Sequence, residues 1–172
     1  MNTKILFNEQ QIQDAVKTIS YDINTTTDYW SEKNVFVGVL TGGYMFYSDL
    51  VKQIKFPIEC DFIRTKSYVT NQSQVKPVVT KDLEIDVEEK NIFLIDDILD
   101  SGNTMKFLLN HFLSKKPLSI NIVTLLTREG IKFENRFGKM YTGLYIEDDS
   151  WVVGYGMDDN GLYRNTPYIF VK

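Results

Sequence analysis

Asp96, Asp97 and Asp100 place three carboxylates within five residues, and Ser101-Gly102-Asn103-Thr104 follows at once. Hydroxyl and amide side chains around a glycine, at the start of a helix, accompany free backbone N–H groups that attract anions, phosphate most often. Gly102 lets the backbone approach a ligand closely, and Ser101 and Thr104 stand where capping hydroxyls belong. Carboxylates do not hold phosphate, so the three acids must serve a metal ion, ribose hydroxyls or a proton in transit. Acids beside an anion cradle point to a phosphosugar. A plainer reading, that Asp97 or Asp100 merely caps the helix, remains open for one of them and leaves the cluster unexplained.

The flanking residues say what positions this chemistry. Asn91-Ile92-Phe93-Leu94-Ile95 leads into the acids with a continuous apolar run, suited to a strand covered on both faces. The acids then fall in a turn at its carboxyl end. Met105, Leu108, Leu109, Phe112 and Leu113 recur at the spacing of one helix face. His111, the one histidine, lies on the opposite, polar face and reads as solvated, so general base chemistry falls to carboxylates.

Upstream, Asn8 can cap a helix whose apolar face is Ile12, Val16, Ile19 and Ile23. A buried strand from Val35 to Leu40 runs into Thr41-Gly42-Gly43 and a helix from Tyr44 to about Val51. Two glycines there suit either an ordinary βα turn or a second phosphate loop, and the residues alone leave both open. Ile58 to Arg64 alternates as a strand, whereas Val69 to Lys81 is polar and without period, which reads as a long loop: a lid, a linker or a bland connection. Ser119 to Leu126 and Tyr141 to Ile146 read as further strands, with Arg128 just past the first and Glu147-Asp148-Asp149-Ser150 as a solvated turn after the second.

Composition narrows the class. At 172 residues and 43% hydrophobic, the chain can build one sizeable core, and a single α/β domain with a small appendage is expected. A net charge of −4 without a Lys/Arg patch argues against a nucleic-acid partner. A single cysteine, Cys60, leaves no intramolecular disulfide, and its apolar strand suggests a buried small hydrophobe. No basic leader and no run of eighteen apolar residues is present, so no membrane partner and a cytoplasmic setting are expected.

Ile95-Asp96-Asp97-Ile98-Leu99-Asp100-Ser101-Gly102-Asn103-Thr104 resembles the phosphoribosyl pyrophosphate (PRPP) signature of type I phosphoribosyltransferases, and further matches in order along the chain make it similar to the hypoxanthine-guanine branch. The resemblance implies a twisted, mainly parallel sheet flanked by helices, residues 1–172 as one domain, a mobile loop at about 67–81 and a hood at about 141–172. It implies transfer of phosphoribosyl from PRPP to a 6-oxopurine with magnesium, by a protein that assembles as a dimer or tetramer. Carried over residue by residue, it gives Asp100 as general acid/base, with Asp96, Asp97 and Asp100 to Thr104 as the PRPP site. Leu40, Thr41, Gly42, Gly43 and Arg164 would take pyrophosphate. Arg128, Trp151 and Val152 would take the base, Ser67 and Tyr68 would open the lid, and Asp96, Asp97 and Asp158 would meet magnesium. Four positions depart from the family pattern: Thr41 replaces a basic residue, Asp96 a glutamate, Ser101 a threonine and Arg128 a lysine. A xanthine- or pyrimidine-directed transferase and a non-catalytic PRPP-binding regulator are the alternatives. A phosphate-accepting receiver domain would leave Trp151 to Asp158 unexplained.

Overall fold

The computed structural model describes residues 4–27, 33–69 and 75–172. Helix α1 (Glu9–Thr26) starts at Asn8, whose side chain accepts from the Gln11 N–H while the Gln11 side chain accepts from the Asn8 N–H. This reciprocal pair satisfies two donors that a helix start leaves open. Ile12, Val16, Ile19 and Ile23 are all buried, each contributing about 1.5–3 kcal/mol of gross burial energy.

The main sheet has six strands: β2 (Asn34–Leu40), β3 (Glu59–Val69), β4 (Val75–Lys81), β5 (Asn91–Leu99), β6 (Ser119–Arg128) and β7 (Met140–Ile146), in the order β4-β3-β2-β5-β6-β7. All neighbours are parallel except the β3–β4 pair. Helix α1 and helix α2 (Tyr44–Val51) cover one face in a core that includes Phe36, Phe46, Leu50 and Phe93. Helix α3 (Asn103–Leu113) covers the other through Met105, Leu108, Leu109 and Phe112. A second, antiparallel sheet joins β1 (Lys4–Phe7) to β9 (Ile169–Val171) and β9 to β8 (Val152–Val153). Among the described residues no helix is long and apolar enough to cross a membrane.

Several expectations need correction. Asp96 and Asp97 do not sit in a turn: β5 continues through them, with Asp96 opposite Thr124 and Leu99 opposite Thr127. Most of 69–81 is not loop either, since Val75–Lys81 forms β4 and pairs antiparallel with β3, Pro77 facing Ser67. An edge strand tolerates a proline because one side of its ladder needs no donor. Residues 70–74 and the Ser67 and Tyr68 side chains, on which the lid expectation also rests, lie outside the described residues.

The hood begins later than residue 141, because β7 pairs parallel with β6 in the main sheet. Cys60 is exposed, the alternation of β3 turning Asp61 and Ile63 inward instead. His111 is only partly solvated and has a partner: its Nε2 lies 3.0 Å from Asp82 Oδ1, and Lys115 Nζ lies 2.8 Å from the other oxygen of that carboxylate. Burial pushes the Asp82 carboxyl up, but its hydrogen bonds with Lys115, His111 and the Leu83 N–H outweigh this and hold it down at about 2.

Candidate active site

Three parallel strands end together at one edge of the main sheet, and each delivers part of the site. Ligands collect outside such carboxyl ends. β2 delivers Leu40 and the turn Thr41-Gly42-Gly43, β5 delivers Asp96 to Asp100, and β6 delivers Arg128. The chain that follows β7 folds over this edge with Trp151 to Asp158, anchored by the Tyr155 hydroxyl, which donates to Asp49 of α2 at 2.6 Å. Together they enclose a cavity of about 450 Å³ lined by Leu40, Gly42, Asp96, Asp97, Asp100, Thr104, Arg128, Trp151, Val152, Asp158 and Arg164. Ser101, Gly102 and Asn103 line an adjoining hollow of about 230 Å³, which shares Asp96, Asp97, Asp100 and Thr104 with it.

The hollow is the anion cradle. Gly102 is the residue before α3, in a left-handed conformation with φ 74°, and no side chain caps this helix start. Thr104 therefore does not play the capping role expected of it. The Ser101 hydroxyl instead accepts from the Asn103 N–H at 3.4 Å. A helix start without a side-chain cap, opening on a hollow, is suited to a phosphate. The Phe133 ring lies where a side chain at position 102 would project, and so backs the loop from behind. Nothing in the aperiodic stretch around Phe133 signals that role in the sequence.

Burial pushes both Asp96 and Asp97 above the usual carboxylate range. The charge and hydrogen bonding of Asp97 raise Asp96 further, whereas hydrogen bonds from Asp96 and the Ile98 N–H, with the positive Arg164, restrain Asp97. Two carboxylates so close and so buried resist carrying two negative charges at once, and a cation placed beside them would relieve that repulsion.

Gly42 lies directly against Asp97, because a Cβ there would stand 1.9 Å from Asp97 Oδ2. On the other side, a Cβ on Gly156 would stand 2.0 Å from the Gly42 carbonyl oxygen. The 40–43 turn is therefore clamped between the acid pair and the hood, and the Leu40–Thr41 peptide within it is cis. Thr41 is exposed, and neither it nor Gly43 lines the cavity.

The cations are engaged. Arg164 Nη1 donates to the Gly156 carbonyl at 2.6 Å, and Nη2 pairs with Asp158 at 2.5 Å. Asp158 also accepts from the Gly161 N–H at 2.7 Å. Arg128 donates to Asp100 and to the carbonyls of Asp148 and Ser150, so the 147–150 turn is tied to the site and is not purely solvated. The Trp151 ring is 63% exposed at the mouth of the cavity, and Val152 is buried in β8. Among the described residues, no three His, Cys, Asp or Glu side chains gather around a point that could hold a metal ion. The expected trio of Asp96, Asp97 and Asp158 is split, because Asp158 turns to Arg164. Met157, within the Trp151 to Asp158 segment, also lines the cavity, as does Thr65, which no motif in the sequence marks.

Residues 2–160 match the family model for the phosphoribosyl transferase domain. A hypoxanthine-guanine-xanthine phosphoribosyltransferase of Tritrichomonas foetus is 33% identical over 167 residues, covering 96% of this chain and 89% of the relative. A hypoxanthine-guanine phosphoribosyltransferase of Bacillus subtilis is 38% identical over 172 residues, covering 98% and 92%. A crystal structure of a hypoxanthine-guanine phosphoribosyltransferase from Bacillus anthracis superposes with a TM-score of 0.84 at 33% identity, over 99% of both chains.

Proposed function

This chain belongs to the phosphoribosyltransferase family, among its hypoxanthine-guanine members, and from that premise we propose that it transfers the phosphoribosyl group of PRPP to a ring nitrogen of hypoxanthine or guanine and releases pyrophosphate. The observation that carries the reading is the meeting, in one cavity, of Asp100, the acid pair, Leu40 and Gly42 of the 40–43 turn and an exposed Trp151, with an anion cradle adjoining.

The residues divide the work as follows. Ser101 to Thr104, with the N–H groups at the start of α3, hold the 5′-phosphate. Asp96 and Asp97 face the ribose hydroxyls. Leu40 to Gly43 and Arg164 receive pyrophosphate. Trp151 stacks on the purine, a contact that tolerates any flat base, and Val152 meets the base edge. Asp100 takes the proton that the purine loses as its nitrogen attacks the sugar.

Asp96 and Asp97 offer the hard oxygen donors that suit magnesium, and substrate oxygens would complete its coordination, since no three such side chains gather among the described residues. When bound, the ion neutralises charge on the departing pyrophosphate.

The test is a spectrophotometric assay with PRPP, magnesium and a panel of bases. Xanthine belongs in the panel because the Tritrichomonas relative carries it in its name. Nucleotide formation from hypoxanthine or guanine is expected. PRPP binding without turnover of any base would instead make the chain a regulator.

Thr41 gives a second expected result. A neutral hydroxyl stands where the family pattern has a cation, so Thr41→Lys should tighten pyrophosphate. A charge-assisted hydrogen bond exceeds a neutral one by roughly 1 kcal/mol, which corresponds to a gain on the order of fivefold to tenfold. Raising the salt should shrink the gain. Titration of both proteins with magnesium and pyrophosphate at two ionic strengths measures it, and equal affinities would remove the turn from the leaving-group site.

A further inference from the structure

Arg128 ends β6, and its guanidinium reaches two other segments of the chain. Nε lies 2.5 Å from Asp100 Oδ1, Nη1 donates to the Asp148 carbonyl, and Nη2 donates to the Ser150 carbonyl at 3.3 Å. The Arg128 side chain is only 15% exposed, whereas its partner Asp100 is 58% exposed. Ser150 immediately precedes Trp151. A planar fork can hold a carboxylate and two carbonyls at once, whereas the donors of a lysine diverge from a single nitrogen.

We propose that Arg128 is a positioning residue that fastens the carboxylate of Asp100 to the turn carrying Trp151, so that proton acceptor and stacking surface keep one spacing around the base. The inference rests on the base site proposed above, but its geometry does not. Three of the five N–H groups of the fork are used by the protein itself, which separates this role from simple donation to a base oxygen. Lysine, the residue of the family pattern, would serve donation and fail at fastening.

Arg128→Lys is therefore the deciding variant. In a Trp30→Phe background Trp151 is the sole tryptophan, and its time-resolved anisotropy in the substrate-free protein reports how firmly the turn is held. Arg128→Lys should lower the residual anisotropy. Asp100→Ala, on a different segment, should lower it too, but should have no further effect once R128K is in place, since both act through one link. In turnover, R128K should raise KM for the base on the order of tenfold, as expected for two lost hydrogen bonds, and leave KM for PRPP within about twofold. An unchanged PRPP KM also shows that the variant is folded. Unchanged anisotropy in R128K overturns the proposal, as does an unchanged KM for the base. Should no base be turned over at all, the functional reading fails by itself, and the anisotropy still decides whether Arg128 holds the turn.

Discussion

Asp100→Asn should lower the turnover number by roughly a hundredfold to ten-thousandfold, the range typical for loss of a general acid/base, while PRPP binding stays near its wild-type value. The substitution is close to isosteric, and the amide oxygen can still accept from Arg128 Nε, so the arrangement at the end of β5 should survive. What disappears is the ability to accept the purine's proton. The phosphate cradle, built from Ser101 to Thr104 and the start of α3, keeps all of its donors in the variant. Steady-state kinetics with hypoxanthine, together with direct titration of PRPP, separates the two effects. A turnover number equal to wild type would exclude Asp100 from the chemistry.

Gly156→Ala should be the most damaging of the small substitutions. Position 156 has φ 101°, which L side chains rarely adopt, and the added methyl would stand 2.0 Å from the Gly42 carbonyl oxygen. Backbone strain of about 1–3 kcal/mol and overpacking of about 1–3 kcal/mol act together. At about 2–4 °C per kcal/mol for a chain of this size, the melting temperature should fall by roughly 4–24 °C. Because backbone meets backbone here, relief must come from moving the 40–43 turn, so pyrophosphate affinity should fall as well. Gly161→Ala is the control: its φ is 82°, but nothing lies within 4 Å of the added methyl. It should show the strain without the clash. Equal melting shifts at the two positions would mean that the contact between hood and turn contributes nothing.

Legibility in the sequence followed the locality of the signal. The strand before Asp96 and the helix after Thr104 were readable because burial imposes its period on consecutive residues: Ile92 to Ile95 are all buried, as are Met105, Leu108, Leu109 and Phe112. Capping at Asn8 was readable because both partners lie within four residues. Where partners come from far along the chain, the signal was absent. His111 looks solvent-facing on its own helix, yet Asp82 reaches it from 29 residues away. Strand β4 is hidden by Pro77 and two lysines, which an edge strand accepts and a central strand would not. Arg128 was marked by the family pattern as a base contact, but its ties to the Asp148 and Ser150 carbonyls depend on a turn that only the fold brings near.

The antiparallel pairing of β1 with β9 also fixes an order of events during synthesis. Residues 4–7 are made long before their partners at 169–171. At translation rates of about 5–20 residues per second, β1 waits on the order of ten to thirty seconds for its ladder. During that wait the parallel strands and α3 can assemble from contacts between segments already made, and the phosphate cradle with them. β8 also needs β9, so the segment that carries Trp151 closes only once β9 has arrived. A ribosome-bound intermediate of this chain should accordingly recognise the sugar phosphate before it recognises the base.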